Sequence, residues 1–426
     1  MKQYYSILIA LSLGLTSSSY AQETMSISLT NEQAETLFLE QNLSLLASKL
    51  EISQAEALLL QAKTWPNPTF ELSDVNLWKN NSVEEQPALI GRWGETTQFS
   101  IGIEQQIQTA GKRRKNIDLN KLSVQEKQLE FDMILRELKL ELRTLFTEAQ
   151  FYNEQQKIYT KQLEATESLI TAYKNQVEKG NISQAEYIRL KALSLQFQKE
   201  LISLKEENQK VLKELKNLLH IAPNVSICID LPLEVNTAKI NAIDLNLELD
   251  NILQDHPAIL ISENNVLQAR KKLEIEKATQ IPDLNFSIQY DRAGNIMRNF
   301  IGIGLSFELP VFDRNKGNIR EALLESEIKQ LELAGKKNET LHEITAAFNH
   351  FQQIKELYQS LDPNYESTLD QLLEAYHQNF KNKNVNIITY LDFVAAYMEN
   401  KTTLLETQRD VIVNFETLQF LLGKDF

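Results

Sequence analysis

Apolar residues follow a period of two in four short segments of the chain. These segments are 70–77, 99–107, 284–290 and 301–309. Such alternation predicts strands with one apolar and one polar face, and about ten residues suffice to cross a bilayer at a tilt. The first segment loses its alternation near Asp74, so it is the weakest of the four strands.

Between these segments the apolar period is that of long helices. Residues 111–179 contain no proline and no internal glycine, and their apolar positions recur at intervals of three and four. This spacing predicts one helix of about 69 residues, roughly 100 Å long, with a coiled-coil seam. We expect a second such helix from 315 to about 382, with Gly317 and Gly335 as mild interruptions.

The whole pattern occurs twice along the chain. The stretch 65–70 resembles 281–286. Three residues recur at a separation of 203: Tyr173, Asn181 and Tyr187 match Tyr376, Asn384 and Tyr390. Each unit predicts a helix, two strands, a very long helix, a turn and a medium helix. The medium helices of a unit sum to the length of its long helix, so we expect two stacked short helices to pack along each long one.

The N-terminus resembles a secretory signal. A basic start, an apolar core at 7–15 and a small-residue site ending at Ala21 predict a cleaved signal peptide. We therefore divide the chain into the signal peptide 1–21, a first repeat 22–220, a linker 221–243 and a second repeat 244–426. The single Cys228 lies far from the cleavage site, so we expect no disulfide and no lipid anchor on cysteine.

Composition argues against several classes of protein. Only 12 Gly and 9 Pro residues disfavour a loop-rich β protein and a doubly wound nucleotide-binding fold. A formal charge of −14 makes a nucleic-acid partner unexpected. No phosphate loop, nucleophile elbow or zinc-protease helix occurs, and His342 and His350 stand too far apart for one metal ion. We expect no enzyme, no cofactor and no metal site.

Four amphipathic strands cannot close a barrel, and open sheet edges are not tolerated in lipid. Copies of the chain must therefore pool their strands, and three copies would supply about 12 strands. The long helices would then form a tube of roughly 100 Å beneath the barrel. The pattern predicts a trimeric duct.

Three stretches carry a family resemblance: Pro66-Asn67-Pro68, then 94–113 ending in Gly111-Lys112-Arg113, and 309–317. On these stretches the chain resembles outer-membrane efflux proteins of the TolC type, and within them the CzcC-like heavy-metal branch. The resemblance implies a mainly α fold with a small β part, in which a homotrimer places a 12-stranded outer-membrane β-barrel on a periplasmic α-helical tunnel. It further implies a passive exit duct that docks to a periplasmic membrane-fusion adaptor and a proton-driven inner-membrane pump of the resistance-nodulation-division type.

The resemblance also assigns the two turns after the long helices to the periplasmic tip. Their residues Gly180, Asn181, Ile182, Asn384 and Val385 are expected to meet the adaptor, although they could be turns with no further role. Gly180 suits a left-handed helix cap, whereas Lys383 stands where a second glycine is expected.

Two acidic residues near the starts of the returning helices, Glu186 and Asp392, are taken as corresponding positions. In similar channels an acid at the Asp392 position forms a ring that constricts the closed tip, so both are gate candidates. A ring of carboxylates in a narrow bore attracts cations. The alternative is an ordinary solvated acid near a helix N-terminus.

The basic run Lys112, Arg113, Arg114 and Lys115 lies where a strand passes into the first long helix. Four cations there oppose the helix dipole, which suggests that they meet anionic lipid headgroups at the membrane interface. A solvated charge run is the alternative.

Other functions remain open at this point. The same duct could serve a multidrug pump instead of one for cobalt, zinc and cadmium. A structural coiled-coil protein of the envelope would explain the helices but not the strands. A periplasmic enzyme that uses helical carboxylates is the third alternative.

Overall fold

The computed structural model describes residues 26–75, 99–241, 255–293 and 298–424. The predicted signal peptide 1–21 lies outside these residues, as does the part 94–98 of the resembling stretch. The chain is mainly helical, as the sequence predicts.

The first half of the chain contains three strands and four helices that lead from one end of the molecule to the other. They are β1 (Ser26–Ser28), α1 (Asn31–Gln41), α2 (Leu43–Ala62), β2 (Thr69–Ser73), β3 (Ser100–Ile107), α3 (Lys112–Glu178) and α4 (Gln184–Leu218). The second half follows the same order after a short connection. Its elements are β4 (Ser226–Cys228), α5 (Thr237–Asn241), α6 (Pro257–Thr279), β5 (Leu284–Ala293), β6 (Arg298–Ser306), α7 (Lys316–Ser360), α8 (Tyr365–Lys381) and α9 (Ile387–Leu422).

The first long helix is continuous, as predicted. α3 runs for 67 residues after Ala110 and Gly111, both of which have positive φ and so redirect the chain out of β3. Both α2 and α4 pack along α3. One apolar cluster along α3 includes Phe38 of α1, Phe146 of α3 and Leu215 of α4, which are almost completely buried.

The short helices meet end to end beside each long helix. Asn42 caps the N-terminus of α2, and its side-chain amide donates to the carbonyl of Leu218 at the end of α4, at 2.9 Å. The second repeat forms the equivalent joint with a histidine. His256 caps α6 and hydrogen-bonds to the backbone of Leu421 at the end of α9. The predicted stacking is therefore confirmed.

The prediction of a second unbroken long helix is wrong. α7 ends at Ser360 and α8 begins at Tyr365, so the segment from 315 to 382 is two helices. Pro363 lies in the gap, where its missing N–H and its ring prevent a continuous helix. Asp362 stabilises the break, because its carboxylate accepts from the backbone N–H of Asn364 at 2.9 Å. Gly335, by contrast, lies inside α7 without breaking it.

Four strands form one antiparallel sheet in the order β2-β3-β5-β6. The registers place residues of the predicted apolar face side by side: Phe70, Ile103, Ile288 and Ile303 in one row, and Leu72, Ile101, Tyr290 and Ile301 in the next. Polar residues and glycines occupy the other face. β2 has only five residues and stops before Asp74, whose φ of 54° ends the strand where the alternation fails.

The linker crosses the helices at mid-length. β4 pairs in parallel with β1, which brings the linker against the start of the first repeat. The side chains of Gln150 and Asn153 on α3 donate to the carbonyls of Pro232 and Ile229, and Lys355 on α7 donates to the carbonyl of Ile240.

Within the described ranges, no helix combines the length and the apolar character that a membrane crossing requires.

Candidate functional site

The first predicted turn joins α3 to α4. Gly180 has a φ of 73°, the left-handed conformation that glycine adopts without strain. The backbone N–H of Asn181 donates to the carbonyl of Gln176 at 2.9 Å, which closes the helix end in a Schellman motif. Ser183 then starts α4, since its hydroxyl accepts from the backbone N–H of Glu186.

The second turn, between α8 and α9, has the same construction. Lys383 adopts the left-handed conformation with φ 62° although it carries a side chain. The N–H of Asn384 donates to the carbonyl of Asn379 at 2.8 Å. Asn386 caps α9 by accepting from the backbone N–H of Thr389 at 2.9 Å.

The structure brings the two turns together at one end of the helices. Ile182 from the first turn and Val385 from the second pack against the same apolar cluster. Gly180, Asn181 and Asn384 are exposed. The predicted tip residues therefore form one surface, with apolar anchors inside and polar backbone turns outside.

The caps correct the equivalence of Glu186 and Asp392. Glu186 is the third residue of α4, and its counterpart, the third residue of α9, is Thr389. Asp392 lies one turn further along its helix and corresponds to Arg189. Sequence reasoning compared the acids with each other, whereas the N-cap hydrogen bonds fix the register.

The two gate candidates differ in their surroundings. Asp392 is exposed, and it makes no hydrogen bond or ion pair with any residue that the structure describes. Glu186 is half-buried and lies close enough to Tyr173 to raise the pKa of that phenol. The arrangement leaves the Asp392 carboxylate available to groups outside this chain.

Aromatic side chains fill the interior of the tip, which sequence reasoning missed. Phe380 is stacked between Tyr173, at 5.3 Å between ring centroids, and Tyr390, at 4.4 Å. Tyr376 and Phe393 form a second stacked pair at 4.0 Å. The tyrosines of the sequence repeat at 203 residues were the signal that could have indicated this core.

Burial makes ionisation of the tip phenols harder still. It raises the pKa of Tyr390 to about 12, with smaller effects of the same sign from Tyr173 and Glu374. Burial followed by the charge of Glu186 raises the pKa of Tyr173 to about 12 as well. Burial lowers the pKa of His377, whose Nδ1 lies 3.3 Å from the Tyr390 hydroxyl. The tip core is therefore uncharged at neutral pH.

A buried lysine ties α8 to α9 just beyond the helix break. The Lys401 side chain is 7% exposed, and its Nζ lies 2.7 Å from Glu366 and 3.0 Å from Asp370. Tyr397 donates its hydroxyl to Asp370 at 2.8 Å. The sequence carried a signal for this cluster, because Lys401 follows Val394 and Tyr397 on the apolar face of α9.

Most of the basic run has partners within the chain. Lys112 forms an ion pair with Asp283 at 2.7 Å. Arg113 lies over the ring of Trp65 at 4.5 Å and donates to the carbonyl of Lys63 at the end of α2. Lys115 donates to the carbonyl of Ala110 at 3.0 Å. Arg113 compensates the C-terminal carbonyls of α2, and Lys112 and Lys115 have partners of their own, which supplies a reason for the run that the sequence did not reveal.

Asp283 holds the two repeats together at this junction. Its Oδ1 also accepts from the backbone N–H of Thr109 at 3.0 Å, and the Thr109 hydroxyl donates to the carbonyl of Pro282. Burial opposes ionisation of Asp283, but the hydrogen bonds from Lys112 and Thr109 outweigh it and lower its pKa.

No three His, Cys, Asp or Glu side chains are placed to hold a metal ion in the part of the chain that the structure describes. Cys228 in β4 is an exposed free thiol.

Comparison with known proteins places this architecture in a family. Residues 36–219 and 249–424 match the outer membrane efflux protein family. The cobalt-zinc-cadmium resistance protein CzcC of Cupriavidus metallidurans is 21% identical over 397 residues, which cover 93% of this chain and 90% of CzcC.

Solved structures show the same fold. CusC, whose crystal structures concern folding and transmembrane channel formation, has a TM-score of 0.75 at 16% identity, over 93% of this chain and 92% of CusC. The outer membrane protein VceC of Vibrio cholerae has a TM-score of 0.73 at 14% identity, over 93% of this chain and 96% of VceC. These structures are similar to this chain in fold, and the family match covers both of its repeats. The chain belongs to the outer membrane efflux protein family.

Proposed function

We propose that the protein is the outer-membrane exit duct of a tripartite efflux system, exported by its cleaved signal peptide. One observation carries the proposal: a sheet with an apolar face continues into helices that end in a narrow capped tip. At 1.5 Å per residue, the 67 residues of α3 extend roughly 100 Å from the sheet. A duct from the outer membrane into the periplasm requires this combination.

The sheet supports assembly into a shared barrel. Rows of exposed apolar residues cover one face, as lipid contact requires, and the other face is polar and rich in glycine. A homotrimer would supply 12 strands, enough to close a barrel around a polar lumen. The basic run at the foot of the sheet would then lie at the periplasmic membrane interface, near anionic lipid headgroups.

The tip supports docking of a partner. Gly180, Asn181 and Asn384 present exposed polar backbone turns, and Ile182 and Val385 anchor them. We infer that a periplasmic membrane-fusion adaptor binds here and connects the duct to an inner-membrane pump of the resistance-nodulation-division type.

The tip also supports a gate. Copies of Asp392 arranged around a bore would form a carboxylate ring that attracts cations, with Glu186 as a secondary, half-buried contributor. We propose Asp392 as the main constriction because its exposed carboxylate has no partner among the described residues of its own chain.

We propose divalent heavy-metal cations as the cargo. Similarity to the cobalt-zinc-cadmium resistance protein over nearly the whole chain supports this choice. A multidrug pump served by the same duct is the alternative. A structural envelope protein is disfavoured, since it leaves the apolar sheet face without a role.

The cargo is tested in a deletion strain exposed to zinc, cobalt, cadmium and a panel of organic drugs. We expect hypersensitivity to the metals alone, restored by the intact gene. Hypersensitivity confined to the drugs would keep the duct and refute the metal assignment.

The gate is tested by conductance of the purified protein in a planar bilayer. We expect divalent cations to block the wild-type current and Asp392→Asn to weaken that block by about tenfold, since the ring loses its charge. Glu406→Gln removes an exposed carboxylate from the same helix about 14 residues away, and should leave the block unchanged. A protein that conducts in no variant would favour the structural alternative.

A further inference from the structure

We propose that His377 makes the tip responsive to acid: protonation of its imidazole breaks the contact with Tyr390 and loosens the part of α9 that carries Asp392. This inference rests on the proposed duct, in which Asp392 forms the gate, and it adds a regulation of that gate. The ligand of the switch is the proton, and the responsive element is the turn between α8 and α9.

His377 lies on α8 and contacts α9 near the second turn. Its Nδ1 is 3.3 Å from the hydroxyl of Tyr390, a side chain that is 1% exposed. Within the described ranges, this imidazole is the only hydrogen-bond partner of that hydroxyl. A neutral imidazole can accept the phenol proton at Nδ1, whereas an imidazolium carries N–H groups at both ring nitrogens. Protonation therefore leaves the buried phenol proton without an acceptor, which costs free energy.

The surroundings of His377 offer little that stabilises a positive charge. The side chain is half-buried, and burial is the largest of the effects that set its pKa, which is lowered below 6.5. Glu374 on the same helix opposes this shift, and Lys381 adds to it. Of the other helices in this core, α9 contributes the phenol of Tyr390 and α3 contributes the phenol of Tyr173, both uncharged at neutral pH.

The direction of the response follows from this environment. An imidazole that has moved into water recovers a pKa near 6.5, so it takes up a proton more readily than the packed imidazole does. The packed arrangement is therefore stable at neutral pH and loses stability as the pH falls below about 6.5. Acid favours the loosened tip.

The contact with Tyr390 is coupled to the gate through two aromatic stacks between α8 and α9. Phe380 stacks on Tyr390 at 4.4 Å between ring centroids. Tyr376 stacks on Phe393 at 4.0 Å. Asp392 lies between Tyr390 and Phe393 along α9, so contacts with α8 fix its position from both sides. A displacement of α8 at this level therefore releases the gate carboxylate.

The first turn has no equivalent of this switch. At the repeat separation of 203 residues, His377 corresponds to Lys174 and Tyr390 corresponds to Tyr187. Lys174 is exposed, and an exposed lysine does not change its charge between pH 5 and 8. The chain thus contains an internal reference, because only the turn between α8 and α9 should respond to mild acid.

Hydrogen exchange of the full protein in detergent at pH 7.5 and 5.5, corrected for the intrinsic effect of pH on amide exchange, tests the switch. We expect protection of residues 373–393 to fall about three- to fivefold in acid, and that of 170–190 to stay constant. His377→Gln keeps an oxygen that can accept from Tyr390 and should abolish the loss, as should His377→Asn. His342→Gln, at an exposed histidine on α7, should retain it. A loss that persists in both His377 variants, or no loss in the wild type, would overturn the proposal.

Bilayer conductance separates the switch from the proposed function. Without divalent cations, we expect the wild-type current to be about twofold larger at pH 5.5 than at pH 7.5, and the His377→Gln current to be equal at both. A wild-type current that does not depend on pH would refute the regulation of the gate and keep the duct. A protein that conducts at neither pH would refute the duct, while hydrogen exchange still decides whether His377 responds to acid.

Discussion

The two long helical segments of the chain occupy equivalent places but reach the tip in different ways. α3 is one helix of 67 residues, whereas its counterpart is divided into α7 with 45 residues and α8 with 17. The divided segment has the stronger tip packing, because Phe380 occupies the position where α3 has Val177. The comparison indicates that unbroken backbone hydrogen bonding stabilises the first helical hairpin, α3–α4. Aromatic stacking and the Lys401 ion pairs stabilise the second helical hairpin, α8–α9.

We expect the largest effect on stability from a substitution that removes the aromatic packing of the second helical hairpin. Phe380 is 2% exposed, so Phe380→Ala should lower the free energy of unfolding by about 3–5 kcal/mol. The equivalent Val177→Ala, at a half-buried site, should cost about 1 kcal/mol. Denaturant unfolding followed by circular dichroism in detergent measures both. Equal losses would contradict the proposed division of roles, and Phe380→Leu should retain most of the stability.

We expect the next largest effect on stability from substitutions that move the helix break from the second long segment to α3. Thr160 is exposed on α3 at the position equivalent to Pro363. Thr160→Pro should cost about 3 kcal/mol, because it removes a hydrogen bond from a continuous helix. Pro363→Ala should change stability by less than about 1 kcal/mol. Thermal unfolding compares them, with Thr160→Ala as the control; tolerance of proline at 160 would show that α3 does not depend on continuity.

A smaller effect concerns the two turns. Lys383 has a left-handed backbone that favours glycine, so Lys383→Gly should stabilise the protein by about 1 kcal/mol. Gly180→Ala should destabilise it by about the same amount through its backbone alone, since open space surrounds the added methyl group. Lys383→Ala keeps the strain and should give no gain. A gain in that control would attribute the effect to the lysine charge instead.

We expect the smallest effect on stability at the two joints where short helices meet end to end, and only at acidic pH. Burial, then repulsion by Arg136 and Lys336, lowers the pKa of His256 below 6.5, against a weaker opposing contribution from the hydrogen bond to Leu421. The unfolded chain therefore takes up this proton first as pH falls below about 6.5, and the folded state loses stability. His256→Asn, which copies Asn42, should reduce this pH dependence. Unfolding midpoints at pH 7.5 and 5.5 test it, and an unchanged difference between them would refute the role of His256.

Much of the fold was predictable because it depends on the local periodicity of apolar residues along the chain. The alternation in β3, β5 and β6 predicted their apolar face, and the absence of breakers predicted α3. Asp362-Pro363 was a local signal as well, and overlooking it produced the wrong second helix.

The site was less predictable because it depends on contacts between distant residues. The turns could be located from Gly180 and Asn181, and the repeat separation of 203 residues could have matched Glu186 with Thr389, as the capping hydrogen bonds now do. No sequence period places Lys112 beside Asp283, since 171 residues separate them. The partners of the basic run were hidden for the same reason.

The edge strands of the sheet also make an unassembled copy of the chain prone to aggregation. Within the described residues, a single copy in water presents rows of apolar side chains next to edge strands that pair on one side only, the combination from which amyloid-like stacking starts. In the proposed duct, correct pairing is a reaction between copies, and so is aggregation, so a higher concentration accelerates both. Under that proposal, the yield of the native protein depends on how quickly a copy meets lipid and its proper neighbours after export.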